Sequence, residues 1–328
     1  MGMGMAADTI FAPRRLGHSN LWVDDLKRSE RFYNQVCGLA VEFWEPDLVA
    51  TFLGTGNTPH DLGMIEKTGG QPRYGRDGQL QLPPGIGLAP GLNHLAWELE
   101  NEVALVEAYR KLKAAGLPIN LTADHQVAHS IYMPDPDGNE IEYYCDTVKE
   151  WRGVLHGEMS LITGLWNPEE GTPFADGRYV LDPEIRTVAE APVHPRRITH
   201  AVLVTADLDR LRAFYTEVGG LDLMGEAAGG RVLYLRGSQQ GYAHHLVLVA
   251  GSAPTYHHSS FELENEAAVG QAEARLTAQG IVPVKSLDIP WKRSFFLRDP
   301  DGLLTEYYAA RTGPRDLTAT NPDLGFLV

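Results

Sequence analysis

Residues 129–144, HSIYMPDPDGNEIEYY, return 164 positions later as residues 293–308, RSFFLRDPDGLLTEYY. In each, a short strand-like run meets Asp-Pro-Asp-Gly and continues into a second run that ends Glu-Tyr-Tyr. Pro supplies a fixed backbone angle and Gly a permissive one, so the Asp-Pro-Asp-Gly segments read as turns between strands, and their Asp residues as poor catalytic candidates. Upstream, ELENE at 98–102 recurs at 262–266, and His94 recurs as His258, both at the same offset of 164. The front ends also match, at an offset of 182: PRRLGH ending at His18 mirrors PRRITH ending at His200. The first copy therefore carries 18 extra residues, the difference between the two offsets, and the Gly/Pro-rich stretch at 68–92 is the expected place for them. The chain is a duplication, and each copy contains a His, a second His and a Glu: His18, His94 and Glu142, then His200, His258 and Glu306.

A chain of 328 residues accommodates two domains of ordinary size. Its 43% hydrophobic and 22% charged residues belong to a water-soluble globular composition. A formal net charge of −15 argues against nucleic acid or an anionic membrane as partner, since both reward clustered Lys and Arg. No apolar run is long enough to span a bilayer, and residues 1–15 lack the basic and apolar regions of a signal peptide. Cys37 and Cys145 are the only cysteines. Two thiols make no disulfide framework, and a reducing cytoplasm is the expected compartment.

Each copy divides again into two units, each a strand followed by a helix and further strands. HSNLWV (18–23) alternates and leads into a helix that Asp24 or Asp25 can cap and Gly38 can stop. NHLAWELE with the following NEVALVEAYRKLKAAG, closed by Gly116, repeats the plan. ITHAVLV with ADLDRLRAFYTEVGG, and HSSFELE with NEAAVGQAEARLTAQG, supply the third and fourth units. The expected fold is α+β, with four units paired two by two. The expected divisions are 16–149, a connector at 150–195 that packs partly on the surface, 196–310, and a tail at 311–328. That tail ends in apolar LGFLV, which suits docking on a neighbour and self-association.

Side chains alternate along a strand, so His18, Asn20 and Trp22 share one face while Leu21 and Val23 take the other. His94, Ala96 and Glu98 likewise lie together. If the sheets of two units form one cupped surface, His18, His94 and Glu142 converge inside it. Two imidazoles and one carboxylate with open positions suit non-haem Fe(II), and Mn(II) by ligand type.

With these residues in place, the chain resembles the vicinal oxygen chelate superfamily, whose βαβββ modules pair into metal-holding cups. Within it the chain is most similar to the type I extradiol ring-cleavage dioxygenases, the catechol 2,3-dioxygenase family. The resemblance covers roughly 16–149 and 196–310, and rests on a His before an aliphatic-Tyr pair, Asp-Pro-x-Gly and then Glu. Here these are His125, Ile131-Tyr132, Asp135 to Gly138 and Glu142. The resemblance implies His18, His94 and Glu142 as metal ligands and His60 as a residue that relays a proton beside bound dioxygen. It implies Tyr132 as a hydrogen-bond donor to substrate or intermediate, and His125 as the residue holding a phenolic oxygen. A small aromatic diol and O2 are the implied partners.

Two departures from that family's pattern stand out. The better-equipped copy is the first, where these enzymes usually use the second. The second copy keeps its triad and places His245 where the first has His60, but Phe296 stands for Tyr132 and Ile289 for His125. The first cup is expected to be active and the second to be vestigial, structural or a separate metal site. His257 should face away from His258, and His129, His156, His194 and His244 carry no pattern. Trp22 and Trp97 suit either a ring pocket or the core. No Arg or Lys stands beside the ligands in sequence, which speaks against an anionic ring substituent. The alternatives are a glyoxalase-like isomerase, a 2-oxo-acid-dependent dioxygenase and a non-catalytic binder of aromatic molecules. The His125 and Tyr132 pair speaks against the isomerase, and two full triads against the binder.

Overall fold

The computed structural model describes residues 9–160 and 163–328; residues 1–8 of the N-terminal stretch that lacks signal-peptide features lie outside them. Each copy folds into one continuous curved sheet. The first contains β1 (Arg15–Val23), β2 (Ala40–Glu45), β3 (Ala50–Gly54), β4 (Leu62–Glu66), β7 (Gly91–Glu98), β8 (Leu121–Asp124), β9 (Ala128–Pro134) and β10 (Glu140–Asp146). A separate hairpin, β5 (Arg73–Tyr74) and β6 (Leu80–Leu82), lies between β4 and β7. The order is β2-β3-β4-β1-β7-β10-β9-β8, so the two units meet where β1 runs antiparallel to β7. The second sheet runs β14 (Asp222–Ala227), β15 (Val232–Arg236), β16 (Leu246–Ala250), β13 (Arg197–Thr205), β17 (Thr255–Glu262), β20 (Leu304–Ala310), β19 (Lys292–Arg298), β18 (Lys285–Ile289). The α+β architecture of paired units is the one expected.

Helices follow the first strand of every unit. α1 (Leu26–Arg31) starts at Asp25, whose carboxylate accepts from the Arg28 N–H at 3.0 Å, and passes into a wider turn over Phe32–Val36. α3 (Leu208–Ala213) repeats this with Asp207 as cap. Asn101 and Asn265, both from the ELENE repeats, cap α2 (Glu102–Ala115) and α4 (Glu266–Ala278) through their side-chain oxygens. Gly116 closes α2 in the left-handed conformation, as read from sequence. Gly38 also has positive φ (76°), and a Cβ there would lie 1.9 Å from the Val193 carbonyl oxygen.

The outer faces of both sheets and the helices form one shared core. It includes Leu21, Val23, Leu95 and Trp97 from the first copy and Ile198, Leu203 and Phe261 from the second. Trp97 is thus a core residue. Trp22 points the other way, into a second cluster with Phe43, Phe52 and Ile65 inside the first cup.

Residues 67–90, the inserted stretch, separate β4 from β7, whereas 251–254 alone separate β16 from β17. The connector does more than lie on the surface. Its strands β11 (Gly157–Glu158) and β12 (Gly164–Leu165) pair with β2 and β8, so one linker covers both edges of the first sheet. In the tail, α5 (Leu324–Leu327) packs on its own second sheet, where the Trp291 indole donates to the Leu327 carbonyl at 2.9 Å. Among the described residues no helix is long and apolar enough to cross a membrane.

Candidate metal centre

The register of three adjacent strands brings the first triad together. His18 on β1 pairs with Ala96 on β7, and Ala96 pairs with Glu142 on β10. His94 lies two residues before Ala96, on the same face. Ala96 in the middle of the row carries only a methyl group, which leaves the gap between the ligands open. His18 Nε2 lies 3.0 Å from Glu142 Oε2 and 3.3 Å from His94 Nε2, and His94 Nε2 lies 3.1 Å from the same carboxylate oxygen. All three ligand atoms fall within 4.8 Å of one another, and all three residues are buried. This donor set fits a divalent transition metal.

Neighbouring groups prepare these ligands. The Asn93 side-chain oxygen lies 2.5 Å from His94 Nδ1; accepting a hydrogen bond from Nδ1–H leaves Nε2 unprotonated to face a metal. Ser130 donates to the other Glu142 oxygen at 2.6 Å. Burial opposes ionisation of Glu142, but the His18 and His94 imidazoles in contact with it overrule that and hold its carboxyl well below the usual range. Burial lowers the pKa of His18, favouring the neutral ligand form.

The other candidates surround the triad within one cavity of about 170 Å³. The Tyr132 hydroxyl lies 2.9 Å from His125 Nε2, and Thr163 lies 3.3 Å from His125 Nδ1. Burial, then the Glu142 charge, raises the Tyr132 pKa well above the ordinary phenol, which keeps the hydroxyl a donor. The His60 ring sits 3.9 Å from the His18 ring, centroid to centroid, and burial drives its pKa far down. Neither His60 nitrogen has a hydrogen-bond partner among the described residues. Asn20 also lines the cavity, and Gly63 opposite leaves it room: a Cβ there would come within 2.1 Å of Asn20 Oδ1.

The second cup has the same frame and a different filling. His200, Ser260 and Glu306 form the equivalent row, with His258 two residues before Ser260. Ser260 replaces Ala96 and donates to Glu306 Oε2 at 2.8 Å. Lys292, where the first copy has Ala128, is buried and places Nζ 2.6 Å from Glu306 Oε1. The triad is looser: the Nε2 atoms of His200 and His258 stand 3.9 and 3.6 Å from Glu306 Oε2. Burial opposes ionisation of Glu306, yet Lys292 and His258 hold its carboxyl at about 2. Phe296 packs edge-on against His258 as Tyr132 does against His94 (5.2 and 5.5 Å between centroids, both 85°). Phe326 of α5 closes over Phe296 and His257.

Two readings need correction. His245 does not match His60. Its backbone N–H bonds to Leu235 as that of Asp61 does to Leu53, and its Nδ1 accepts from Gly237 N–H as Asp61 accepts from Thr55 N–H. The counterpart of His60 is His244, whose ring lies 4.4 Å from that of His200. The front-end offset grows from 182 to 184 before β16, so adjacent histidines exchange roles. Second, a cation does stand beside a triad: Lys292, hidden because 14 residues separate it from Glu306 in sequence. His129 pairs with Glu102 at 2.7 Å and stacks on Trp166, outside the cavity.

The chain matches the sequence pattern of the Glyoxalase/Bleomycin resistance protein/Dioxygenase superfamily over residues 15–143 and 197–307. It is 28% identical over 252 residues to a catechol-2,3-dioxygenase of Bacillus subtilis (strain 168), covering 73% of this chain and 76% of that protein. The fold superposes on the 2,3-dioxygenase LapB of Pseudomonas sp. KL28 with a TM-score of 0.65 at 17% identity, covering 96% of each chain. A Mn(II)-bound glyoxalase from Novosphingobium aromaticivorans gives a TM-score of 0.63 at 16% identity, over 95% of this chain and 89% of that one.

Proposed function

Because the chain belongs to the Glyoxalase/Bleomycin resistance protein/Dioxygenase superfamily, we propose that its first cup is the active site of an Fe(II)-dependent extradiol dioxygenase. The observation that carries this reading is the meeting of two groups in one cavity. The His18, His94 and Glu142 triad lies beside the hydrogen-bonded His125 and Tyr132 pair. Iron held by the triad would supply the charge that favours loss of a catechol proton and the redox chemistry that lets dioxygen attack the ring. His125 holds one phenolic oxygen, and the protonated Tyr132 donates to oxygen on the reacting side. His60, neutral and without a hydrogen-bond partner among the described residues, is placed to take or relay a proton. Both oxygen atoms enter the product, and the ring opens beside the diol. The apolar surroundings exclude competing water. The buried free thiols of Cys37 and Cys145 support a reducing, cytoplasmic setting.

The test is O2 uptake and coloured product formation by the protein loaded anaerobically with Fe(II), across a panel of catechols. His94→Ala should abolish turnover and His258→Ala should keep it. The reverse pattern would move the chemistry to the second cup, and silence from iron-loaded protein would refute ring cleavage.

A further inference from the structure

The cavity of the first cup has two unlike halves. One half is the triad with His60, His125 and Tyr132. The other is a wall of Phe43, Phe52, Ile65, Leu82, Val127 and Leu155, all no more than 9% exposed. These come from separate pieces of the chain: β2, β3, β4, the inserted hairpin, the turn before β9 and the connector. Phe43 and Phe52 stack with centroids 4.5 Å apart and 17° between planes. Phe52 also meets the His60 ring edge-on at 4.8 Å, so this apolar face borders the polar half directly. Among the described residues lining the cavity there is no Arg or Lys. Beyond the polar half, the ionisable side chains in the lining are Tyr144 and Asp146, and neither can offer a cation.

Resting on the ring-cleavage reading, we propose that the substrate is a catechol carrying an uncharged apolar substituent, aryl or branched alkyl, which sits against Phe43, Phe52 and Leu82. The polar half has places for two phenolic oxygens. The apolar half gains by covering carbon, and aromatic faces accept a second ring edge-on or offset. A carboxylated substituent would enter without a cation to meet it. The neutral amide of Gln81, beside Leu82 on the inserted hairpin, could donate but carries no charge, and burying an unpaired carboxylate is strongly unfavourable.

The test compares biphenyl-2,3-diol with 3,4-dihydroxyphenylacetate, using the full chain loaded with Fe(II). The expected kcat/KM ratio favours the biphenyl compound on the order of 100-fold. Leu82→Arg, on the inserted hairpin and outside the main sheet, should shrink that ratio at least about tenfold by giving the carboxylate a partner. Val127→Lys tests the same wall from the opposite side. A wild-type ratio at or below one, or a ratio unmoved in both variants, would overturn the proposal while leaving ring cleavage standing. Absence of turnover with every catechol would instead remove the ring-cleavage reading. Anaerobic equilibrium binding of the same two compounds to the metal-loaded protein would then decide the proposal: tighter binding of the biphenyl compound supports it, and equal or reversed affinities overturn it.

Discussion

At position 132 the second half of the molecule has already performed the control for the first. Phe296 sits against His258 in the same edge-on geometry that Tyr132 adopts against His94. Tyr132→Phe should therefore leave packing and metal content unchanged and remove only a hydroxyl. Losing one hydrogen bond to a developing charge costs about 1–3 kcal/mol, so kcat/KM should fall about 5- to 150-fold. Steady-state kinetics with metal analysis checks this; a variant with wild-type kcat/KM would exclude the hydroxyl from the reaction. At this scale the sequence was readable where a motif had a fixed spacing, as for His94, Glu142 and Tyr132. It misled where a length change fell between anchors. His244 and His245 are adjacent, and a two-residue drift in offset decides which one faces His200. Ser260 and Lys292 escaped notice for another reason. Each acts on Glu306 across a strand or a hairpin, a relation visible only in the register.

Strands show why the triad assembles at all. β1, β7 and β10 are neighbours, and His18, Ala96 and Glu142 fall in one row across them. Alternation in the sequence gave the shared face; the row itself needed the pairing. The inserted segment at 67–90 has a different status. It leaves the main sheet, forms its own hairpin and contributes Leu82 to the cup. Replacing 67–90 with GSAP, the sequence of 251–254 that makes the same connection in the second copy, should spare the fold. Thermal unfolding should shift by only a few degrees, because the loop lies outside the shared core. KM for an apolar catechol should rise about tenfold as the wall opens. Collapse of the fold or an unchanged KM would each contradict this role. The connector shows the limit of composition as a guide. Gly, Pro and acidic residues correctly signalled a lack of periodic structure. They could not show that residues 157–158 and 164–165 border opposite ends of one sheet, because each edge strand has two residues.

Across the whole molecule, the duplicated turns act as fasteners between the copies. Tyr33 donates to Asp299 at 3.1 Å and Tyr215 donates to Asp135 at 3.0 Å, each reaching from one copy into the Asp-Pro-Asp-Gly of the other. Tyr215→Phe should lower stability by about 2 kcal/mol in denaturant unfolding with activity retained, and no change in stability would deny that role. The same duplication poses the question of how many metals the chain holds. Both triads are present, but the second already contains a cation: the Lys292 ammonium on Glu306, walled in by α5. A divalent ion there would have to share one carboxylate with that charge, so wild-type protein should bind one tight equivalent. Lys292→Ala restores the residue found at position 128 and leaves Glu306 buried without its partner. Removing one member of a buried pair costs about 3–5 kcal/mol, so the metal-free variant should melt well below wild type. Added Mn(II) or Fe(II) should then recover stability, because a ligand that binds only the folded state raises it by mass action. Metal analysis should rise from one to two equivalents per chain in that variant. Two tight equivalents in the wild type would show that the lysine does not exclude metal, and two cups of equal standing would follow.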